Sequence, residues 1–363
     1  GDHGRHFESI RGRRAELEGD LSAYFEGMNR QKLGMALNLK TPSGVEIMHR
    51  LVRQSDVLVQ NFRKGVAERL GLGYEDLIKH NSKLIYASAS GYGPEGPDAY
   101  KPAFALTAEA RAGALWWFGP DDDTPHELDI ADQIAGMMLS YGVLGAIVYR
   151  ERFGVSQKVD VSHLGSMIWA RGMQNGISFL KDFEVPRFDR KEPGQVLWNY
   201  YRCQDGEWIA FSMGQGDRFW PTFCQAIDRP DLVTDPRFDT MTARFENRRE
   251  VVAVLDDVFA GRPRAYWERR LDEAGDLIWE RVQRNLDLLD DPQVKANDYV
   301  IEYDHPVIGP SKWAQTPVSY SETPLHTRKM APALGENTEE ILIDLLGYTW
   351  DDIAAMRDEG AIL

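Results

Sequence analysis

The feature that most constrains this chain is one apolar stretch, Asp129–Arg150, followed closely by the alternating run Gln157–Ser162. Within the stretch, Ile134, Met138, Leu139, Val143, Leu144 and Ile147 are set among the small residues Ala135, Gly136, Ser140, Gly142, Gly145 and Ala146. That mixture lets neighbouring backbones approach closely and predicts a buried core helix. Asp129 and Asp132 lie in its first turn, where unpaired N–H groups and the positive end of the helix dipole favour carboxylates. Arg150, Arg152 and Gly154 mark the far end.

Two accounts of the first turn stand open. In one, Asp129 is the N-cap and Asp132 reaches back to it as a capping pair. In the other, a carboxylate kept ionised at a helix start and aimed at a ligand cleft serves as a nucleophile.

Ahead of this stretch the pattern alternates. Gly1–Asp20 is dense in charge and reads as a solvated surface segment. Leu33–Leu39 reads as a short strand, and Thr41 or Ser43 can cap a helix over Gly44–Gln54. Val57–Val59 and Leu84–Ser88 read as buried strands, with helical segments at Gly65–Leu70 and Tyr74–His80 between them. Strands alternating with helices predict a parallel sheet with crossover helices. Ligands of such sheets sit beyond the carboxyl ends of the strands, which places Asn61-Phe62-Arg63 and Ser90-Gly91-Tyr92-Gly93 at a binding edge.

With 363 residues the chain exceeds the usual size of one domain, so a second unit is expected. Phe183–Gly194 reads as a linker bearing proline and charge. Beyond it, Trp198–Cys203 and Trp208–Ser212 flank Gln204-Asp205-Gly206-Glu207, a hairpin signal, and helices follow over Arg218–Ile227, Arg248–Phe259 and Pro263–Glu273. The expected division is a large domain over residues 1–183, a linker over 184–196, a small α+β domain over 197–300, and a return to the large domain over 301–363. Gly335–Glu340 starts a last helix that stops at Gly347.

A net charge of −15 disfavours nucleic acid and anionic membrane as partners, while a local basic patch can still hold a phosphate-bearing ligand. Cys203 and Cys224 are the only cysteines and lack metal-ligand spacing, so no metal site and a reduced, cytoplasmic setting are expected. Met137–Tyr149 stops at Arg150, short of the ~18–20 apolar residues of a membrane span. No signal peptide is recognisable.

Several motifs together resemble one family. Asp132-Gln133-Ile134-Ala135-Gly136, Gly142-Val143-Leu144-Gly145-Ala146, Gly154, Gln157 and Val159-Asp160-Val161-Ser162 look like the class III CoA-transferases, the family of formyl-CoA and carnitine-CoA transferases. Asn61-Phe62-Arg63-Lys64-Gly65, Gly91-Tyr92-Gly93 and Gly335-Glu336-Asn337-Thr338 match the same family, and the similarity runs through essentially the whole chain. The resemblance places Gly1-Asp2 just after a first strand and helix that family members carry.

The resemblance implies a Rossmann-like large domain built from both chain ends, an inserted smaller domain and an interlocked dimer. It implies that Asp132 forms the acyl-enzyme anhydride, from which CoA thiolate makes an aspartyl thioester that the acceptor acid then takes over. By the same resemblance Leu37, Lys40, Asn61, Phe62, Arg63, Arg69, Lys101 and Phe104 form the CoA-binding set, the cations suiting its phosphates. CoA enters as substrate.

Two departures matter. The glycine-rich loop that closes over formyl-CoA transferase sites is matched here by Glu192-Pro193-Gly194-Gln195, with a single glycine. The racemase branch of the family adds a histidine where this chain has Phe104, and moving an α-proton between two faces needs two acid/base groups, so racemisation is disfavoured. His163, at a helix start, could serve as a base, but a lone histidine there reads first as a capping or packing residue. Three functional readings follow: a homodimeric CoA-transferase, the Asp-bearing subunit of a heteromeric one, and a non-catalytic acyl-CoA-binding protein. Trp116, Trp117, Phe118, Trp169 and Trp198 read mainly as core, with a bulky or aromatic acyl group as the functional alternative.

Overall fold

The computed structural model describes residues 2–119 and 124–363. The chain separates into two compact units, one comprising Gly1–Leu115, Glu127–Phe183 and Pro292–Leu363, the other Trp116–His126 and Glu184–Asp291. The second crossing thus falls at Asp291/Pro292 rather than after residue 300.

In the first unit the parallel sheet has three strands among the described residues, with Ile85–Ser90 central between Val57–Gln60 and Lys158–Ser162. In register, Gln60 meets Ser88 and Ser90 meets Ser162, so the strands end along one carboxyl edge. Helix Pro42–Gln54 precedes the first strand, capped by Thr41, whose hydroxyl accepts from Gly44 N–H. Its Ile47 packs with Leu342, Leu346, Tyr348 and Ile353 from the other end of the chain.

Leu33–Leu39 is not a strand; only Leu37 bridges, to Ile362. Its backbone donors are taken elsewhere: Gly34 N–H by the Asn337 side chain at 3.0 Å, Ala36 N–H by the Thr338 hydroxyl at 3.1 Å, and Asn38 N–H by the Ala361 carbonyl at 2.8 Å. Two side-chain oxygens and one backbone carbonyl replace the regular ladder there.

The long helix runs Ala131–Phe153 and ends on Gly154 in the left-handed region (φ 70°). Gly142 lets it lie against the sheet, because a Cβ there would come within 2.8 Å of Val159 Cγ1. Arg150 ties its last turns to the strand starts, donating to the Asp56 carboxylate (2.9 Å) and to the Asp56 and Lys83 carbonyls (3.3 and 3.1 Å).

This helix is not the wholly buried element expected. Only Ala131, Ala135, Leu139 and Ala146 are buried, while Met137, Tyr141, Leu144 and Val148 are exposed at 68, 74, 61 and 50%. Nor is it too short for a bilayer: its 23 residues are long and apolar enough to cross one by length and composition, because the small residues before Met137 extend the apolar run. The aromatic set divides likewise. Trp117 is buried, whereas Trp116, Phe118, Trp169 and Trp198 are exposed.

In the second unit, strands Trp198–Arg202 and Trp208–Ser212 form an antiparallel hairpin joined by Trp279–Arg281, with Gly206 at φ 84° in the turn. Tyr201, Ile209 and Phe211 pack with Trp220, Phe223, Phe259 and Trp267 from three helices, burying both cysteines, which are free.

Candidate active site

In a right-handed strand–helix–strand crossover the helix N-terminus lies at the carboxyl edge of the sheet. The topology therefore brings Asp132, in the first turn of the long helix, to the edge where Lys158–Ser162 ends and His163 begins the next helix. Ser162 caps that helix, accepting from Gly165 N–H at 3.0 Å. His163 Nε2 lies 3.0 Å from Asp132 Oδ1. An ionised carboxylate only accepts, so Nε2 carries the hydrogen. This hydrogen bond is the main cause that holds the Asp132 carboxyl below its usual range, with burial opposing it. The other ring nitrogen, Nδ1, is buried without a hydrogen-bond partner. Tyr24 stands close enough that Asp132 and Asp129 add to the effect of burial in raising its phenol pKa.

The helix start is held by neither expected capping residue. Its N-cap position is Ile130, and Asp129 takes a left-handed conformation (φ 58°). That twist turns four successive amides into a concave nest around the carboxylate of Glu109, which is fully buried. Glu109 Oε1 accepts from Ile130 and Ala131 N–H at 2.9 and 3.1 Å; Oε2 accepts from Leu128 and Asp129 N–H, both at 3.3 Å. Glu109 comes from helix Ala105–Arg111 and does the capping that Asp129 and Asp132 were expected to share. Asp132 keeps its carboxylate for other contacts, with 54% of its side chain exposed.

The proposed CoA-binding residues do not converge on one point. Lys40 and Arg69 line one open cavity of about 680 Å³, together with Pro42, Val45, Glu46 and His49. Glu46 is compensated there by Arg50 and Arg53, at 3.2 and 3.6 Å. That volume is in the range of ligand sites. Leu37 lines a separate cavity of about 320 Å³ against the C-terminal residues. Asn61, Phe62 and Arg63 form the exposed loop leaving the first strand, where Phe62 N–H donates to Gln60 Oε1 at 2.8 Å. Lys101 stands over the Tyr92 ring, 5.7 Å from its centroid. Phe104 is 78% exposed at the start of the helix that carries Glu109.

Residues 1–338 match the model of CoA-transferase family III. The chain belongs to that family. It is 32% identical to the succinyl-CoA–D-citramalate CoA-transferase of Chloroflexus aurantiacus, covering 92% of this chain and 83% of that protein. It is 29% identical to the (R)-2-hydroxy-4-methylpentanoate CoA-transferase of Clostridioides difficile, covering 94 and 86%. A solved CAIB/BAIF family protein from Brucella suis superposes with a TM-score of 0.81 at 26% identity, over 91% of this chain and 86% of that one. The mixed α/β fold with its parallel sheet is the one those structures share, and CoA transfer is the activity of this family III enzyme.

Two residues in contact with this helix start carry no signal in the sequence that places them there. Glu109 sits between Ala108 and Ala110 with no motif around it, and its four partners lie 19 to 22 positions away. His163 reads from sequence as a capping or packing residue, with a base as the functional alternative; its adjacency to the strand end is visible there, but its 3.0 Å distance to Asp132 is not.

Proposed function

We propose that this chain moves CoA from an acyl-CoA donor to a carboxylic acid through covalent intermediates on Asp132. The observation that carries the reading is an accessible carboxylate, held ionised by His163, on a helix start whose backbone donors are already satisfied by Glu109. Asp132 is therefore free to attack a thioester carbonyl. The acyl-CoA substrate needs no metal in this scheme.

CoA phosphates are held by Lys40 and Arg69 in their shared cavity, with Asn61, Phe62, Arg63, Lys101 and Phe104 guiding the rest of the molecule and Leu37 contributing from its own cavity beside the C-terminal residues. Arg69→Glu is expected to weaken CoA binding at least ~10-fold, since a charge-assisted contact becomes a repulsion. Isothermal titration with CoA measures it; unchanged affinity removes Arg69 from the site.

The unit drawn from both chain ends acts as a Rossmann-like domain in an interlocked dimer. The exposed row Met137, Tyr141, Leu144 and Val148 supports this, being an apolar stripe at helical spacing that the single chain leaves uncovered. Light scattering is expected to give twice the chain mass, and Leu144→Lys to shift it toward monomer. A monomeric parent, or mass gained only with a second polypeptide, favours the heteromeric reading. Exposed Trp169, about two turns beyond His163, supports a bulky or aromatic acyl group. Two buried free thiols suit a cytoplasmic location.

A further inference from the structure

We propose that His163 is the oxyanion donor for the steps that take place at the aspartyl carbonyl, and that its grip on Oδ1 makes Oδ2 the only oxygen exchanged with substrate. The inference rests on Asp132 being the nucleophile. Nε2 lies 3.0 Å from Oδ1, the distance at which a fixed N–H stabilises a developing oxyanion. His163 is itself fixed, because it follows directly on a strand paired in register with the centre of the sheet and begins a helix capped by Ser162. The buried, unpartnered Nδ1 keeps the hydrogen on Nε2, since a proton moved to Nδ1 would find no acceptor.

The consequence follows from the bonds that change. With Oδ1 engaged, Oδ2 attacks the donor thioester, the C–S bond breaks, and CoA thiolate leaves an aspartyl anhydride. The thiolate then attacks Cγ of Asp132. Its electron pair moves onto Oδ1, where the Nε2–H of His163 meets it, and the tetrahedral centre collapses by expelling the donor carboxylate with the former Oδ2. The acceptor carboxylate attacks the same Cγ, again charging Oδ1, and CoA thiolate departs. Attack of that thiolate on the acceptor acyl carbon releases acyl-CoA and leaves Asp132 with one oxygen from the acceptor. If Oδ1 stays bound to His163, the imported oxygen is always the next nucleophile, and Oδ1 is never replaced.

The test is multiple turnover with an acceptor acid labelled at both carboxyl oxygens with heavy oxygen, followed by mass spectrometry of the Asp132 peptide. The parent enzyme is expected to hold one heavy oxygen however many turnovers pass. His163→Ala is expected to accumulate two, because a released carboxylate rotates between turnovers, and to lose on the order of 10²-fold in kcat, the usual cost of one oxyanion donor. His163→Gln retains an N–H donor and is expected to hold one and recover part of kcat. Two heavy oxygens in the parent enzyme overturn the proposal even if the alanine variant does not fold, and so does a single label in a folded, active His163→Ala. No label at Asp132 in the parent overturns the nucleophile reading and this one with it, an outcome distinct from double labelling.

Discussion

Asp132→Asn is expected to abolish CoA transfer and leave the fold intact. Asparagine keeps the size of the side chain and an oxygen that can accept from His163 Nε2, but its amide cannot form the anhydride. The loss is expected to exceed ~10³-fold in kcat, as for removal of other covalent nucleophiles. Stability should change little, by about 1 kcal/mol or less, because Asp132 caps nothing: the amides of the helix start already point at Glu109. Asp129→Asn is the control. Asp129 is in the left-handed region, which asparagine tolerates well, so most of the turnover should remain. Transfer assays on both variants, with hydroxylamine trapping of the acyl-enzyme, measure the difference. Full turnover in Asp132→Asn, or a trapped adduct on another residue, would sink the assignment.

Glu109→Ala is expected to be the most destabilising single change in the site. It removes the acceptor of four backbone N–H groups at once, and each buried donor left unmade costs about 1–3 kcal/mol. Those costs do not add fully, because water can follow into the space of the lost side chain, so the net loss is expected at about 3–5 kcal/mol. Glu109→Gln is expected to fall between alanine and the parent, since it keeps one oxygen but turns an amide donor toward two other donors. A chemical denaturation midpoint measures the stability, and kcat should fall together with it because the turn that aims Asp132 is the turn Glu109 holds. An unchanged midpoint in Glu109→Ala would remove Glu109 from its structural role.

The sequence by itself determined what periodicity and punctuation can carry. Alternation of strands and helices predicts the parallel sheet, the small residues mark where helix and sheet approach, as Gly142 does against Val159, and Asp-Gly marks the turn at Gly206. These signals are local, so tertiary context did not override them. Motif matches singled out Asp132 for the same reason, as a fixed spacing within one helix and the strand behind it.

Only the tertiary structure decided how that aspartate is surrounded. A capping pair at Asp129 and Asp132 is the best local solution for a helix start, but a carboxylate from another helix supplies four acceptor contacts where a local cap supplies one or two. Leu33–Leu39 has strand composition, yet its amides are met by Asn337, Thr338 and Ala361, more than 300 positions away. The exposed face of Ala131–Phe153 was illegible for a related reason: composition reports that a helix is apolar, while which side remains uncovered depends on where the sheet ends. The contact of His163 with Asp132 belongs to the same class, because 3.0 Å between residues on consecutive crossover elements is set by sheet register and helix packing, and neither is written in the spacing of the two residues.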